Sequence, residues 1–410
     1  MSRLPHCYPH DEPLETLAPL LVAHLPSSLP LLRRLQFKHS APDARVLSTL
    51  SPNNLRTDPA PFTAAYIERS RFPETQCWLF STHETSTSSA LSSSTTTGPI
   101  TTENDNNEAN HARLQILAIL RTIAHLPSPK NDNNILILGT LNESLLSFFT
   151  GRSPPTLKQT PVVSRFTASA SQPSSHPSDT NLLHGCSIPY TKYLLPPPAP
   201  SAPRTLLPSS YTFISLEHTS DFDLVVARSS IPREVPTLRQ LGNVGIRRLD
   251  DSGDGEGELV AWGFLSPDGS LSSLHVEDEH RGKGLAKGVC RRLLERLREG
   301  SGAVGFEPLL PGDDGSSRGK EAFAEGTALV YEKRSEEPQS SVMEVKRSQA
   351  DGWAHSDIAE GNIESAGVAK AVGGSEGWRI HWVAVDLGRV EVVVRVLEDG
   401  ALEGDGADRE

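Results

Sequence analysis

Apolar and polar residues alternate with period two along short segments in the second half of the chain, a pattern typical of half-buried β-strands. The strands predicted in this way span residues 211–217, 244–249, 259–265, 270–277, 352–358 and 379–387, with the valine-rich segment 390–396 as a further candidate. Asp268-Gly269 predicts a tight turn between two of these strands. Apolar spacings of three and four predict helices over 284–299 and 362–372, and helical material over 220–241 that two prolines interrupt.

The first half of the chain shows a similar mixture on a smaller scale. Its predicted helices span residues 14–35, 112–125 and 142–149, and its predicted strands span 76–81 and 134–138. The segment 194–204, LLPPPAPSAPR, predicts a stiff extended linker, so we expect a domain boundary near residue 200. We predict a smaller N-terminal α/β domain over 1–200, a second domain over 204–397 and an acidic tail over 398–410.

Three stretches are poor in apolar residues and rich in Ser, Thr, Pro, Gly or charge, namely 81–110, 153–180 and 300–349. Segments of this composition bury too little apolar surface to offset the entropy that is lost on ordering. We therefore expect flexible insertions at all three places. Within the last one, Ala303–Glu307 and Ala328–Tyr331 are candidates for short strands.

Bulk properties narrow the class of protein. The chain has 410 residues and a formal net charge of −12 without a Lys/Arg stripe, which argues against a nucleic-acid partner. No apolar run approaches the roughly 18 residues of a membrane span, and the N-terminal residues lack the pattern of a secretory or transit peptide, so we expect a cytoplasmic protein without a membrane partner. The 4 cysteines stand far apart without disulfide or metal-ligand spacing, so we expect them to be reduced and no metal to be bound.

One segment carries specific chemistry. The predicted strand 270–277 runs into Arg281-Gly282-Lys283-Gly284-Leu285-Ala286, and a helix follows at once. Glycines let the backbone approach a ligand closely and adopt positive φ angles. The first N–H groups of a helix have no intrahelical partner and lie at the positive end of the helix dipole. The segment therefore predicts an anion site that suits a pyrophosphate.

The spacing Arg-x-x-Gly-x-Ala, after a strand that ends Leu274-His275-Val276, resembles the acyl-CoA signature of the GNAT acetyltransferase superfamily. A second block, residues 353–374, is similar to the later strand, the Asn-headed helix and the closing Gly turn of that family. Asn362, Ser365 and Gly373 stand in the matching places. Together with residues 258–270, the resemblance is closest to the glycine N-acyltransferase-like branch, and it covers residues 204–387.

The resemblance implies a fold: a mixed, mostly antiparallel sheet with helices on both faces, preceded by a non-catalytic, degenerate GNAT-like first half. It also implies a co-substrate, acetyl-CoA or another acyl-CoA. In the superfamily the glycine loop binds the pyrophosphate, which assigns to it Gly282, Gly284 and the backbone N–H groups from Lys283 through Leu285 to Ala286. Arg281 and Lys283 would flank the pyrophosphate, although a solvated surface pair is the simpler interpretation of both side chains.

The family resemblance also implies roles for the two strands on either side of the loop. Main-chain groups of Leu274 and Val276 would bind the pantetheine and polarise the thioester carbonyl, while their side chains belong to the core. Asn362 suits a helix N-cap by its residue type, and the resemblance adds a hydrogen bond to the pantetheine arm. Ser365 is assigned to the same cofactor-binding set.

A strand, a GxGxxxG turn and a helix also permit a dinucleotide site, in which Glu307 would bind the ribose. The charged stretch 277–281 argues against it, because a dinucleotide site needs the strand to deliver its first glycine directly. A P-loop is excluded, since no Gly-Lys-Ser/Thr follows at the required spacing.

The catalytic base is less sharply indicated. An amine must lose a proton to attack a thioester, and histidine titrates near neutral pH. His275 and His355 are the candidates, with Glu277, Asp357 or a water chain as alternatives, and a structural role is equally open for each histidine.

Two further positions bear on the chemistry. Many superfamily members carry a Tyr seven residues after the helix Asn as general acid, and Ala369 stands in that place here. Cys290 lies inside the predicted helix without a paired histidine nearby in sequence, so we do not expect a covalent intermediate.

We therefore predict an acyl-CoA-dependent N-acyltransferase in which a small-molecule amine or amino acid attacks directly in a ternary complex. The missing Tyr and the long insertions favour the first alternative, a non-catalytic CoA-binding or interaction protein. A dinucleotide-dependent oxidoreductase is the second alternative.

Overall fold

The computed structural model describes residues 4–53, 60–85, 103–127, 134–150, 180–199, 206–229, 233–249, 257–299, 305–307 and 352–404, of which 103–105 and 399–404 are described by their backbone alone. Most of the three predicted insertions, and the candidate strand Ala328–Tyr331, lie outside these residues. Residues 103–110 lie inside them and form the start of a helix, so the prediction of a flexible insertion is wrong there.

The described residues form short strands connected by helices. The strands are β1 (Tyr8–Pro9), β2 (Arg45–Ser48), β3 (Thr63–Ile67), β4 (Cys77–Ser81), β5 (Ile135–Asn142), β6 (Leu183–Cys186), β7 (Tyr190–Leu195), β8 (Tyr211–Ile214), β9 (Gly242–Arg248), β10 (Glu258–Leu265), β11 (Leu271–Val276), β12 (Ala354–Ala359) and β13 (Ser375–Asp386). The helices are α1 (Pro13–Thr16), α2 (Ala18–Ala23), α3 (Leu29–Gln36), α4 (Glu103–Ala124), α5 (Leu146–Thr150), α6 (Thr219–Arg228), α7 (Val235–Leu238), α8 (Leu285–Glu299), α9 (Ile363–Ala371) and α10 (Val390–Gly404).

These strands form two sheets. A 9-stranded sheet has the order β1-β2-β3-β4-β5-β13-β7-β12, with β6 also beside β13, and a 4-stranded sheet has the order β11-β10-β9-β8. Strand pairs are antiparallel except for β4 with β5, which run parallel. The predicted mixed, mostly antiparallel α/β fold is confirmed.

The two halves of the chain repeat one order of elements. In the first half, β1 to β4 form an antiparallel meander, α4 follows, β5 returns parallel to β4, and α5 leads on to β6 and β7. In the second half, β8 to β11 form the meander, α8 follows, β12 runs in the direction of β11, and α9 leads on to β13. The fold therefore contains the same topology twice.

The last strand of each half pairs with strands of the other half. β13 pairs antiparallel with β5, from Ile380↔Asn142 to Asp386↔Ile135, and β7 pairs antiparallel with β12. β7 and β13 also pair with each other. Each half therefore supplies a strand to the sheet of the other half, an arrangement called the strand exchange below. The domain boundary near residue 200 stays a prediction.

Two predicted elements of the termini are wrong in type or extent. The segment 390–396, predicted as a strand, lies in α10, where Val390, Val393 and Val394 form a buried helical face in the same apolar cluster as Leu120 of α4. The single helix predicted over 14–35 is three helices, α1, α2 and α3. No helix in the described part of the chain is both long and apolar enough to cross a membrane.

Candidate active site

β11 and β12 lie side by side but are joined by a single parallel bridge, Ser270↔His355. Beyond that bridge, β11 continues as the edge of the 4-stranded sheet and β12 as the edge of the 9-stranded sheet. Near the bridge, the Ser356 hydroxyl donates to the carbonyl of Leu271 (3.4 Å). The two strands are therefore joined at Ser270 and His355, and beyond this apex their facing edges are unpaired within the described residues; the space between these edges is called the cleft below.

A β-bulge lies in β11 along this cleft. The register with β10 shifts between Trp262↔His275 and Phe264↔Ser272, and Ser273 has a φ of 49°. A bulge removes residues from the ladder and bends the strand. A methyl group added at Gly263 would lie 3.4 Å from Leu274 Cδ1, so the Leu274 side chain packs on the face that carries α8. The bulge therefore lies at the predicted acyl-binding strand segment.

The glycine loop lies at the open end of the cleft, directly after β11. Gly282 and Gly284 have φ angles of 75° and 79°, and no atom lies within 4 Å of the position that a Cβ would take at either residue. α8 begins at Leu285, and Gly288 N donates to Gly284 O (3.0 Å). The N–H groups of residues 282–287 donate to no group in the described part of the chain. The loop thus presents free donors on an exposed surface with room beside both glycines.

The two basic side chains of the loop are held by their own turn. Arg281 Nε donates to Val276 O (3.1 Å), and its guanidinium pairs with Asp278 (2.9 Å). Lys283 Nζ donates to Glu279 O (3.0 Å) and to the Tyr211 hydroxyl (3.2 Å). Both cations therefore lie at the loop, and neither is buried.

Sequence reasoning missed Tyr211 and His280 at this loop. The Tyr211 hydroxyl is 2.9 Å from Nδ1 of the buried His280, and it also accepts a hydrogen bond from Lys283. Tyr211 lies in β8, so only the sheet topology brings it here. The alternation of apolar and polar residues in β8 does not indicate which residues Tyr211 contacts.

Asn362 caps α9, as its residue type predicted. Its side-chain oxygen accepts a hydrogen bond from Ser365 N (3.0 Å); Asn362 is exposed and Ser365 is half-buried. Gly361 precedes the cap with a φ of 89°, and Gly373 closes the helix with a φ of 93°. The residue types at both ends of this helix therefore have local structural reasons. The side-chain amide of Asn362 has no acceptor among the described residues.

His275 lies on the face of β11 opposite Leu274, away from α8. Its ring stacks on Trp262, and its side chain is 24% exposed. His275 Nε2 is itself buried, makes no hydrogen bond with the described residues and lies 3.6 Å from the Glu277 carboxylate. Glu277 in turn accepts a hydrogen bond from Arg228 Nε (2.9 Å). This histidine therefore has a ring nitrogen that is not committed to the fold.

His355 is in the opposite situation, because its side chain is 0% exposed and both ring nitrogens have partners. His355 Nε2 lies 3.0 Å from Asp268 O, and Nδ1 lies 3.0 Å from Lys192 Nζ. A carbonyl accepts and an ammonium donates, so this network assigns the proton to Nε2. A structural role accounts for every polar atom of this ring.

Asp357 completes this buried cluster. Its Oδ1 accepts from Lys192 Nζ (2.5 Å), and its Oδ2 is buried without a hydrogen bond to a described residue. Burial alone would raise the pKa of Asp357, but the ammonium of Lys192 outweighs burial and holds the pKa well below its usual range.

Two further sequence-based expectations concern buried positions. Ala369, which takes the place of the family Tyr, is a core residue of α9. Cys290 lies in the core side of α8, and burial raises the pKa of its thiol to about 12. A thiol that is neutral and buried is a poor nucleophile, which supports direct transfer.

The dinucleotide alternative requires a parallel βαβ unit around the loop. Among the described residues, β11 forms a ladder with the antiparallel β10, and a single bridge joins it to the parallel β12. Glu307 is held at the end of α3, where its N–H donates to Gln36 O (2.7 Å), and its neighbour Phe306 bridges antiparallel to Phe37. A strand–loop–helix–strand unit is therefore present, but Glu307 follows a bridge to the end of α3 and not a strand parallel to β11, as a dinucleotide site would require.

Two family profiles match the chain. The profile described as the acyl-CoA N-acyltransferase verG N-terminal domain matches residues 4–193, and the profile described as FR47-like protein matches residues 243–318, which include the glycine loop. The chain belongs to the GNAT superfamily. Members of this superfamily use acyl-CoA as co-substrate, and the protein is an acyltransferase in this general sense.

Several solved structures are similar to the chain. They include a Drosophila protein (12% identity, 92% of this chain and 98% of that chain, TM-score 0.46). They also include a tandem GNAT protein from the clavulanic acid biosynthesis pathway (13%, 93% and 98%, TM-score 0.36) and a GCN5-related N-acetyltransferase from Sphaerobacter thermophilus (11%, 93% and 95%, TM-score 0.40). No curated protein matches the sequence.

Proposed function

We propose that the protein transfers an acyl group from acyl-CoA to the amine of a small molecule or amino acid, by direct attack in a ternary complex. The observation that carries this proposal is the glycine loop at the open end of the β11–β12 cleft. Its N–H groups at residues 282–287 donate to no described residue, and its two glycines leave open space in front of the backbone. A pyrophosphate suits both features.

The charges around the loop support the same ligand. Arg281 and Lys283 are exposed, and the described groups that bind them belong to their own turn or to Tyr211, so both can turn toward a bound diphosphate. The backbone N–H groups provide the directional part of the binding, because they are fixed by the helix start. This division makes the glycines more important for affinity than the two cations.

The pantetheine arm would run from the loop toward the cleft apex, between the unpaired edges of β11 and β12. The bulge of β11 is where we assign the donor groups for the thioester carbonyl, from the main chain at Leu274 and Val276. The free amide of Asn362 and the nearby Ser365 would contact the arm from the β12 side. The chain thus offers polar groups on both sides of an extended substrate.

We assign His275 as the general base and not His355. A base must have a free ring nitrogen, and His275 Nε2 has no hydrogen bond within the described residues, whereas both nitrogens of His355 are occupied. Glu277 lies beside His275 and would stabilise the imidazolium that forms. Arg228 holds the Glu277 carboxylate in place.

The proposed reaction balances without a covalent enzyme intermediate. His275 takes a proton from the attacking amine, the amine nitrogen bonds to the thioester carbon, and the carbonyl oxygen gains negative charge. The C–S bond then breaks, and CoA leaves as a thiolate. The weak basicity of a thiolate makes a dedicated acid dispensable, so His275 or water can supply its proton although Ala369 replaces the family Tyr.

The test is an assay of free thiol with a panel of CoA thioesters and amines. We expect thiol release that requires both a thioester and an amine, and an N-acylated product of matching mass. Binding of CoA in calorimetry without turnover of any thioester would favour the non-catalytic alternative. The absence of CoA binding would overturn the assignment of the loop itself.

A further inference from the structure

The apex of the β11–β12 cleft is held by residues of the first half of the chain. Trp78 Nε1 of β4 donates to the Asp268 carboxylate (3.1 Å), in the turn that begins β11. Arg33 of α3 donates to Trp353 O (2.7 and 3.0 Å), just before β12. Lys192 of β7 contacts His355 and Asp357 within β12. All three contacts join the first half to one or other wall of the cleft.

Lys192 is the most unusual of these residues, because its side chain is 0% exposed and that of its partner Asp357 is 4% exposed. Removing two charges from water is costly, and well-packed apolar residues often stabilise a fold equally well. Stability alone therefore gives a weak reason for this pair. A defined geometry is the property that a buried, hydrogen-bonded charge can supply and an apolar contact cannot.

That geometry concerns the wall of the cleft. A single bridge joins β12 to β11, so no ladder between them fixes the distance across the cleft. His355 fixes this distance instead of a ladder, because its backbone N–H donates to Gly269 O (3.3 Å) and its Nε2 donates to Asp268 O (3.0 Å). The second bond needs the proton on Nε2, and the ammonium of Lys192 enforces this tautomer by donating to Nδ1.

We propose that Lys192 is a positioning residue for acyl transfer, which acts through His355 and Asp357 to hold the edge of β12 at its distance from β11. The inference rests on the proposed function and gives the first half of the chain a part in the chemistry of the second. Lys192 does not touch the substrate in this role. It fixes the position of β12, whose main chain would face the acyl group.

The principal test is the double variant Lys192→Met/Asp357→Leu, which removes both charges and leaves no unpaired carboxylate. We expect its kcat to fall at least tenfold, with the KM for acyl-CoA and the dissociation constant of CoA in calorimetry within about threefold of the unmodified protein. Binding is spared because the glycine loop lies at the other end of the cleft. A wild-type kcat in the folded double variant would overturn the inference.

The matched control is Arg34→Met/Glu68→Leu. This pair has the same side-chain exposures of 0% and 4% and the same 2.5 Å separation, but it lies within the first half, between α3 and the end of β3. We expect the control to change thermal stability and to leave kcat within twofold. An equal loss of kcat in both double variants would mean that any buried pair has this effect, and the positioning role would be rejected.

A second pair of variants keeps the test decisive if the first double variant does not fold. In His355→Gln, the side-chain oxygen can accept from Lys192 and the amide can donate to Asp268 O, as the neutral imidazole does. We expect this variant to retain most of kcat, and His355→Leu to lose at least tenfold. Inactive His355→Gln with normal CoA binding would instead identify His355 as the base. Lack of thioester turnover by the unmodified protein, with CoA binding intact, would overturn the proposed function and this inference together.

Discussion

His275 lies against Trp262 with the ring centroids 4.6 Å apart and the ring planes inclined by 21°. The stack fixes the imidazole and leaves Nε2 uncommitted, so we expect His275→Ala to lower kcat roughly a hundredfold, as for loss of a general base. Loss of a base also changes how the rate depends on pH, so the pH profile of the variant should differ in shape from that of the unmodified protein. Steady-state kinetics from pH 5.5 to 9 measure both effects.

Two controls accompany the histidine variant. CoA affinity in calorimetry should remain within about threefold, because the pyrophosphate loop is unchanged. Cys290→Ala should keep full activity, since that thiol is buried and neutral. Full activity of His275→Ala at every pH would move the base to Glu277 or to a water chain.

Gly284→Glu is expected to abolish acyl-CoA binding without unfolding the protein. The substitution puts a carboxylate where the proposed pyrophosphate lies, and no atom lies within 4 Å of the new Cβ to cause a clash. A side chain at a φ of 79° adds backbone strain of about 1–3 kcal/mol. Gly284→Ala carries the strain without the charge, so it should lose much less affinity. Calorimetry with CoA and circular dichroism decide the matter, and unchanged affinity of the Glu variant would refute the loop assignment.

Glu84 is expected to make the protein less stable as the pH rises. Its carboxylate accepts from Ser81 N (2.9 Å), and burial raises its pKa from 4.5 to about 8, although the Ser81 and Asn142 hydrogen bonds and Lys192 lower it. Between these two values the unfolded chain is ionised and the folded chain is not. Stability is therefore lost across this window, by an amount on the order of a few kcal/mol.

Glu84→Gln removes this titration while it keeps an oxygen that can accept from Ser81. The melting temperature of the variant minus that of the unmodified protein should increase from pH 5 to pH 8. The difference should be smallest below pH 4.5. Parallel curves over the whole range would show that the carboxyl of Glu84 is not neutral in the folded protein.

Residues 204–410 expressed alone are expected not to form a stable monomer. β12 loses its partner β7, and β13 loses both β5 and β7, so unpaired strand edges are exposed. Size-exclusion chromatography and thermal unfolding of this fragment, alone and co-expressed with residues 1–203, test the dependence. A monomeric fragment with a native-like transition and unchanged CoA affinity would contradict it.

Local patterns were sufficient to predict the meander that forms one wall of the cleft. β9, β10 and β11 each show alternation, and the turn at Asp268-Gly269 is present, with Gly269 at a φ of 75°. The glycine loop was predictable for the same reason, because its conformation depends on the glycines themselves. In both cases the determining interactions are close in sequence.

Long-range pairing explains the errors and the gaps. The valines of 390–396 suggested a strand, but packing against α4 selects a helix. The exchange of β7 and β13 leaves no trace in either strand, since alternation does not specify a partner. The sequence did not distinguish His275 from His355 for a related reason. The lysine that donates to Nδ1 of His355 lies 163 residues earlier in the chain.

The strand exchange also constrains how the chain is synthesised. β5 ends at Asn142, whereas its partner β13 begins only at Ser375. While the ribosome makes the residues between them, one edge of β5 stays open to other nascent chains and to chaperones. The first half cannot close its sheet as it emerges, so folding of both halves has to be completed after β13 has been translated.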